Sequence, residues 1–352
     1  MCKVLLMIAV IGGVALVWRL DSNRPEENQS PQVVGHKGIA PGAFFKPRAI
    51  AIDAVGRFYV VDRSGRIQYF SSTGELLHVW TTPEYANGQP VGLAVENDGT
   101  LLVNDSHYSR ILRYSAGGEK LLARWGKEGK GPGEFTFGRD VVVDSEGYIY
   151  AGDYGGLNDR IQKMDRQGRF VLEWGSMGEA PGQFMRPQGM AIERSGGAEF
   201  LLVTDCANHR VQRFMLDGTF VGTIGSVGRA PGEFRFPIAI AVDRAGNYLV
   251  CEWGNNRIQK LTPEGESLGM WGEAGFAPGQ LSTPWDVAIG LDDRIYVVDY
   301  GNHRVQIFRW EDGGVDASAV PARATTVPSS AQRASYPAAS YRGAVLAEGG
   351  EG

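Results

Sequence analysis

The chain has 352 residues, 35 Lys and Arg against 40 Asp and Glu for a formal charge of −5, and only three cysteines, Cys2, Cys206 and Cys251. The acidic balance argues against a broadly basic nucleic-acid-binding surface. The scattered cysteines have no metal-ligand spacing and no disulfide framework, so Cys206 and Cys251 read as buried free thiols.

At the N-terminus Lys3 precedes an unbroken apolar run, residues 4–17. This has the form of a secretory signal, and it is shorter than the roughly 20 residues of a membrane helix. No small-x-small cleavage site follows; Trp18, Arg19 and Leu20 lead directly into charged residues. An apolar helix over residues 1–20 acting as an uncleaved signal anchor is therefore expected, in contact with the membrane through residues 4–20, with cleavage and secretion as the alternative. Either way the rest of the chain is expected outside the cytoplasm. Residues 21–31 are polar and Pro-bearing, a linker.

From residue 32 to residue 310 one pattern recurs. In its most regular copy, 230–272, four short apolar runs are separated by turn signals such as Asp243-Arg244-Ala245-Gly246-Asn247 and Gly254-Asn255-Asn256. Such clusters bounding β-branched runs predict a four-stranded antiparallel meander. An acidic residue closes the second run of each copy: Asp62, Asp105, Asp153, Asp205, Glu252 and Asp299. An arginine opens each third run: Arg66, Arg110, Arg160, Arg210, Arg257 and Arg304. The period, roughly 43 to 52 residues, is that of propeller blades. A single blade cannot bury both faces of its sheet, so the copies must stack. The last copy stops after its third run, whereas Gln32, Val33, Val34 and Gly35 look like a fourth run without its first three. An N-terminal strand closing the last blade is therefore expected, and it removes an open edge. Residues 311–352, rich in Ala, Ser, Pro and Gly, read as a disordered tail.

The turns Asp205-Cys206-Ala207-Asn208-His209-Arg210 and Asp299-Tyr300-Gly301-Asn302-His303-Arg304 resemble the NHL repeat, and Glu252 to Arg257 matches it closely. The chain is thus similar to the NHL-repeat six-bladed β-propeller family, in its bacterial, membrane-anchored or exported form. The resemblance implies an all-β fold of six four-stranded blades. It does not choose a function, because the family includes RNA binders, protein binders, sensors and a lyase.

The Asp, Asn and Arg of each repeat suit a charge-assisted bond across a tight turn and read as structural. Phe135, Phe184 and Phe234, in the loops before three first strands, read as plugs between blades. Function is expected where the copies differ. Residues entering each first strand are Arg48, Val91, Arg139, Gln188, Ile238 and Trp285, followed by Ala49, Gly92, Asp140, Gly189, Ala239 and Asp286. These should ring one mouth of the central channel. His107, Tyr108, Tyr154, Trp253 and Tyr300, in the second turns, should lie on the same face. The ligand-binding set is accordingly Arg48, Arg139, Asp140, Gln188, Trp285 and Asp286 with His107, Tyr154, Trp253 and Tyr300, because exposed aromatics among polar groups suit recognition.

The family's lyase branch would imply a zinc held by three histidines, one directly after the Pro of a first strand. Arg48, Val91, Gln188, Ile238 and Trp285 fill the corresponding places, so no metal or other cofactor and no catalytic residue is expected. The reading is a monomeric, non-enzymatic recognition propeller that binds a protein, peptide or glycan through this face, without nucleic acid. The alternative is a peptidyl-hydroxyglycine lyase-like or hydrolytic propeller working at the same mouth.

Overall fold

In the computed structural model the described residues are 30–86, 90–290 and 292–310, with the backbone of 6–11 and 14–19. They include six four-stranded antiparallel sheets. Blade one is Pro47–Ile52, Phe58–Asp62, Arg66–Phe70 and Leu76–Thr81. Blade two is Pro90–Val95, Leu101–Asp105, Arg110–Tyr114 and Leu121–Trp125. Blade three is Phe137–Val143, Ile149–Tyr154, Arg160–Met164 and Phe170–Trp174. Blade four is Pro187–Ser195, Ala198–Asp205, Arg210–Met215 and Phe220–Ile224. Blade five is Pro237–Val242, Tyr248–Glu252, Arg257–Leu261 and Ser267–Trp271. Blade six is Asp286–Ile289, Ile295–Asp299 and Arg304–Phe308, with Gln32–Val34 as its outer strand. That outer strand pairs Val34 with Val305 and Gln32 with Ile307. Each inner strand contacts the next, and blade six contacts blade one, so the ring is complete.

The packing follows from the repeat. The second strands are buried on both faces, and the cores lie between blades, where sheets stack face to face. Phe135 packs with Leu102 and Ile111 of blade two and Val141 and Ile149 of blade three. Phe184 and Phe234 occupy the equivalent places one and two blades on. The repeated polar set locks each blade's turn. Asp299 accepts from Arg304 Nε (2.8 Å), Asn302 Nδ2 (2.8 Å), Gln306 Nε2 (3.0 Å) and the Ser282 N–H (2.8 Å). Asp205 repeats the arrangement with Arg210, Asn208 and Gln212. Buried carboxylates so surrounded are structural, because their hydrogen bonds offset the cost of burial. Cys206 and Cys251 are buried and free.

One expectation is corrected at the N-terminus. In place of an apolar helix there are two strands, Leu6–Ile11 and Val14–Arg19, paired antiparallel with Leu6 opposite Arg19. An unpatterned apolar run does not distinguish helix from strand. Here its valines and isoleucines favour strand, and the Gly12-Gly13 pair between the two is a hairpin signal. Among the described residues no helix is long and apolar enough to cross a membrane. The expected linker and tail, 21–31 and 311–352, fall outside the described residues except for residues 30 and 31.

Candidate functional site

Near the start of the inner strand in blades one to five the pairing register slips, as between Pro47 and Ala49, Pro187 and Met190, and Pro237 and Ala239. Such bulges re-aim side chains. Here the displaced residues meet around the axis. Arg48, Val91, Arg139, Asp140, Gln188, Gly189, Ile238, Ala239, Trp285 and Asp286 line one cavity of about 20 Å³, or about 300 Å³ with the open mouth included. The smaller volume is room for about one or two water molecules. Glycine is needed for the blades to come this close: a Cβ on Gly92 would lie 2.4 Å from the Arg139 carbonyl oxygen, and one on Gly189 2.5 Å from Ala239 Cα.

Trp285 is the centre of the mouth. Its ring stacks on Tyr300 with centroids 4.7 Å apart. The guanidinium carbons of Arg48 and Arg139 stand 5.5 and 5.9 Å from its centroid. Arg139 also lies 5.2 Å from the Tyr154 ring and donates from Nε to Gln188 Oε1 at 2.8 Å. Gln188 is 4% exposed, and its Nε2 has no partner among the described residues; the same holds for Arg48 Nε. The Gln188 amide and the Arg48 guanidinium thus each keep a donor for a guest. Burial, then the nearby Arg139, pushes Arg48 down to about 10. The cations repel each other, and an anion between them would relieve that.

The carboxylates lie on the same cavity. Asp140 accepts the Met190 N–H of blade four (2.7 Å) and its neighbour's, Val141 (2.8 Å). Asp286 accepts the Ile50 N–H of blade one (2.8 Å) and that of Val287 (2.8 Å). Both keep a little surface open to the axial space while lying deep in protein. Burial raises Asp140 to about 7 against these hydrogen bonds and the pull of Arg139. Burial, then Asp140 itself, raises Asp286.

The structure thus brings Arg48, Arg139, Asp140, Gln188, Trp285 and Asp286 together, with Tyr154 and Tyr300 on their flanks. His107 is exposed but crowded by the mouth, and burial, Arg48, Arg139 and Arg63 push its imidazole below the usual range. Trp253 stands apart: it packs edge-on to Phe236, 5.7 Å away, and is 38% exposed. Two arginines belong with the set although sequence reasoning omitted them. Arg63 acts on both Arg48 and His107, and Arg186 lies 5.7 Å from the Tyr154 ring. Arg63 follows Asp62 as Tyr154 follows Asp153 and Tyr300 follows Asp299, so repeat register alone could have found it. Among the described residues no cluster of three or more His, Cys, Asp or Glu is placed to hold a metal.

The family model of the SMP-30/gluconolactonase/LRE-like region matches residues 49–274. The chain belongs to that family. An NHL repeat matches residues 281–308, so both descriptions apply to one propeller. The rat (Rattus norvegicus) peptidylglycine alpha-amidating monooxygenase is 31% identical over 112 residues, 29% of this chain and 11% of that protein. Mouse (Mus musculus) NHL repeat-containing protein 3 is 28% identical over 166 residues, 42% of this chain and 46% of that one. The chain thus spans about a tenth to a half of the length of these relatives. A streptogramin B lyase structure superposes with a TM-score of 0.59 at 15% identity, covering 80% of this chain and 99% of that one. A catalytically inactive virginiamycin B lyase from Staphylococcus aureus, solved with quinupristin, gives 0.57 at 14% identity, covering 81% and 88%. At such identities the likeness is one of fold.

Proposed function

We propose that this propeller is a recognition module whose channel mouth binds an anionic group, a carboxylate, sulfate or phosphate, carried by a protein, peptide or glycan. The observation that carries the reading is the pairing of Arg48 and Arg139 over Trp285 with the unpartnered Nε2 of buried Gln188 beside them. A fold needs none of these at the axis, where Val91 with Gly92 and Ile238 with Ala239 suffice in the neighbouring blades. Trp285, Tyr300 and Tyr154 supply flat surfaces for the rest of the ligand, peptide side chain or sugar ring. One such ligand would engage one monomer through this single face. Lys3 and the apolar run 4–17 support placing that face outside the cytoplasm, held at a membrane or secreted.

The test is an array of matched peptides and glycans, each pair differing only by one acidic group, for instance a free against an amidated C-terminus. Acid-bearing members should be retained by the wild type and lost by an Arg48→Met, Arg139→Met variant. Equal retention of neutral members would contradict the reading.

A second reading rests on His107. Kept neutral beside Arg48 and Arg139, it has the protonation state of a general base, and Asp140 near 7 is suited to proton transfer. The names of the similar proteins, lyases among them, favour a lyase-like or hydrolytic activity at the same mouth. Turnover of lactones or peptidyl-hydroxyglycine substrates that His107→Gln abolishes would establish it; no turnover across such a panel would leave recognition alone.

A further inference from the structure

Beneath the mouth arginines lie two carboxylates that, among the described residues, only backbone groups hold. Asp140 and Asp286 stand on blades three and six, opposite each other in a six-membered ring, and line the cavity that Arg48, Arg139 and Gln188 also line. All four of their oxygens are engaged by backbone N–H groups: Val141 and Met190 for Asp140, Ile50 and Val287 for Asp286. Asp205 and Asp299, by contrast, are each gripped by an arginine, Arg210 and Arg304, at 2.8 Å. Two such groups facing one small space cannot both ionise without cost, and Asp140 adds to burial in raising Asp286. The donor Nε2 of Gln188, 4% exposed and without a partner, is the independent sign that the same space expects a guest.

We propose that binding of an anion at the channel mouth draws a proton onto the Asp140–Asp286 pair, so that the site binds anions more tightly as pH falls through neutrality. This rests on the anion reading given above. An incoming negative charge at the mouth meets Asp140 and Asp286, the two carboxylates that line the cavity. It raises the cost of ionising them, and a proton enters with it. By linkage, the affinity that the proton adds is lost when the pH rises above the pair's range.

The charged and titratable groups facing the pair point the same way. Above it are Arg48 and Arg139, with Arg63, His107 and Tyr300 beyond them. At its flanks are Cys206, which feels Arg186 and Arg139, and Cys251, which feels Asp286, Glu252 and Asp299. Burial raises both thiols, Cys206 to about 11, so neither ionises near neutrality. Burial, then Arg48, Arg139 and Arg63, push His107 below its usual range, toward the neutral form. Between pH 6.5 and 8.5 the carboxylate pair is then the group left to take up the proton, in agreement with Asp140 near 7.

The test uses inorganic sulfate, whose charge is constant over this range, with the full chain in isothermal titration at pH 6.5, 7.5 and 8.5. Each pH is run in two buffers of different ionisation heat, which counts the protons taken up. The expected result is a Kd that rises about tenfold from low to high pH, with up to about one proton taken up per sulfate. In the Asp140→Asn, Asp286→Asn variant both the rise and the uptake should vanish. To guard against poor folding of that variant, the wild type is also followed by infrared spectroscopy at pH 7.5, where sulfate should increase the protonated-carboxyl carbonyl band. Sulfate binding with unchanged affinity across the range, or uptake without that band, overturns the proton coupling and leaves the anion site standing. Absence of sulfate binding at every pH overturns both.

Discussion

His303 accepts the backbone N–H of Lys46 through Nδ1 at 3.0 Å, joining blade six to blade one across 257 positions of sequence. His209 does the same for Phe236, linking blade four to blade five at 3.0 Å, and Asn256 for Thr283, linking blade five to blade six at 2.7 Å. All three turn residues adopt left-handed backbone geometry, with φ of 57°, 57° and 53°, which His and Asn tolerate better than most. The His of the repeat is thus an inter-blade latch, and it must be unprotonated at Nδ1 to work.

Acid should weaken these latches. Burial, followed by nearby cations, lowers both His209 and His303 below their usual range. A histidine with a depressed folded-state pKa gives stability that is complete above the unfolded value, about 6.5, and that falls as pH drops below it. The mouth carboxylates act in the opposite sense, since raised pKa values favour the folded state at low pH. Asn256 already fills this role in blade five without a titrating ring. His209→Asn with His303→Asn should therefore keep the melting temperature at pH 8 within a few degrees and reduce its decline between pH 7 and 5. Melting curves at both ends of that range check this; an unchanged decline would show that the latches do not titrate.

The buried repeat set predicts a large loss. Asp299→Ala leaves the guanidinium of Arg304, 10% exposed, without its carboxylate and also strips acceptors from Asn302 and Gln306. Breaking a buried pair on one side costs about 3–5 kcal/mol. Urea unfolding should show it, and a cost below about 1 kcal/mol would mean that the turn is held by other contacts.

Closure of the ring by Gln32–Val34 is open to truncation. Deletion of residues 1–31 leaves this strand on Arg304–Phe308, whereas deletion of 1–36 removes it together with buried Val34. The first should melt near the wild type and the second clearly lower. Equal melting temperatures would mean that the strand adds nothing to blade six.

At the mouth, Gly189→Ala should act through geometry. Its Cβ would meet backbone, Ala239 Cα at 2.5 Å and the Ile238 carbonyl oxygen at 2.8 Å, so blades four and five must part. Overpacking of this kind costs about 1–3 kcal/mol, and it should weaken ligand binding by displacing the adjoining Gln188. Thermal melting and a sulfate titration of the same sample report both effects.

The blades were legible because their punctuation repeats. The acid at the end of each second strand and the arginine at the start of each third recur in every blade, five positions apart in four of the six, and the two pair across their own turn. The mouth was legible only where copies could be aligned: Arg48, Arg139, Gln188 and Trp285 differ from Val91 and Ile238 at one register position. Arg63 occupies a register position that could have been compared in the same way. Trp253 occupies the register of Tyr300 yet packs on Phe236, whereas Tyr300 stacks on Trp285. Asp140 and Asp286 could be picked out by register, but whether they act on each other depends on how near the ring brings two strands of different blades, which no local pattern records. The N-terminal run gave no periodicity to choose between helix and strand.

The central claim is that Arg48 and Arg139 make the mouth an anion site. It is tested most directly by comparing sulfate affinity at pH 6.5 in the wild type and in an Arg48→Met, Arg139→Met variant, with melting temperatures measured on the same samples. Methionine keeps much of the side-chain packing while removing both charges. The account predicts a loss of about 2 kcal/mol or more in binding, roughly thirtyfold in Kd, with the melting temperature unchanged or raised as the mutual repulsion disappears. Equal affinity in a folded variant would contradict it.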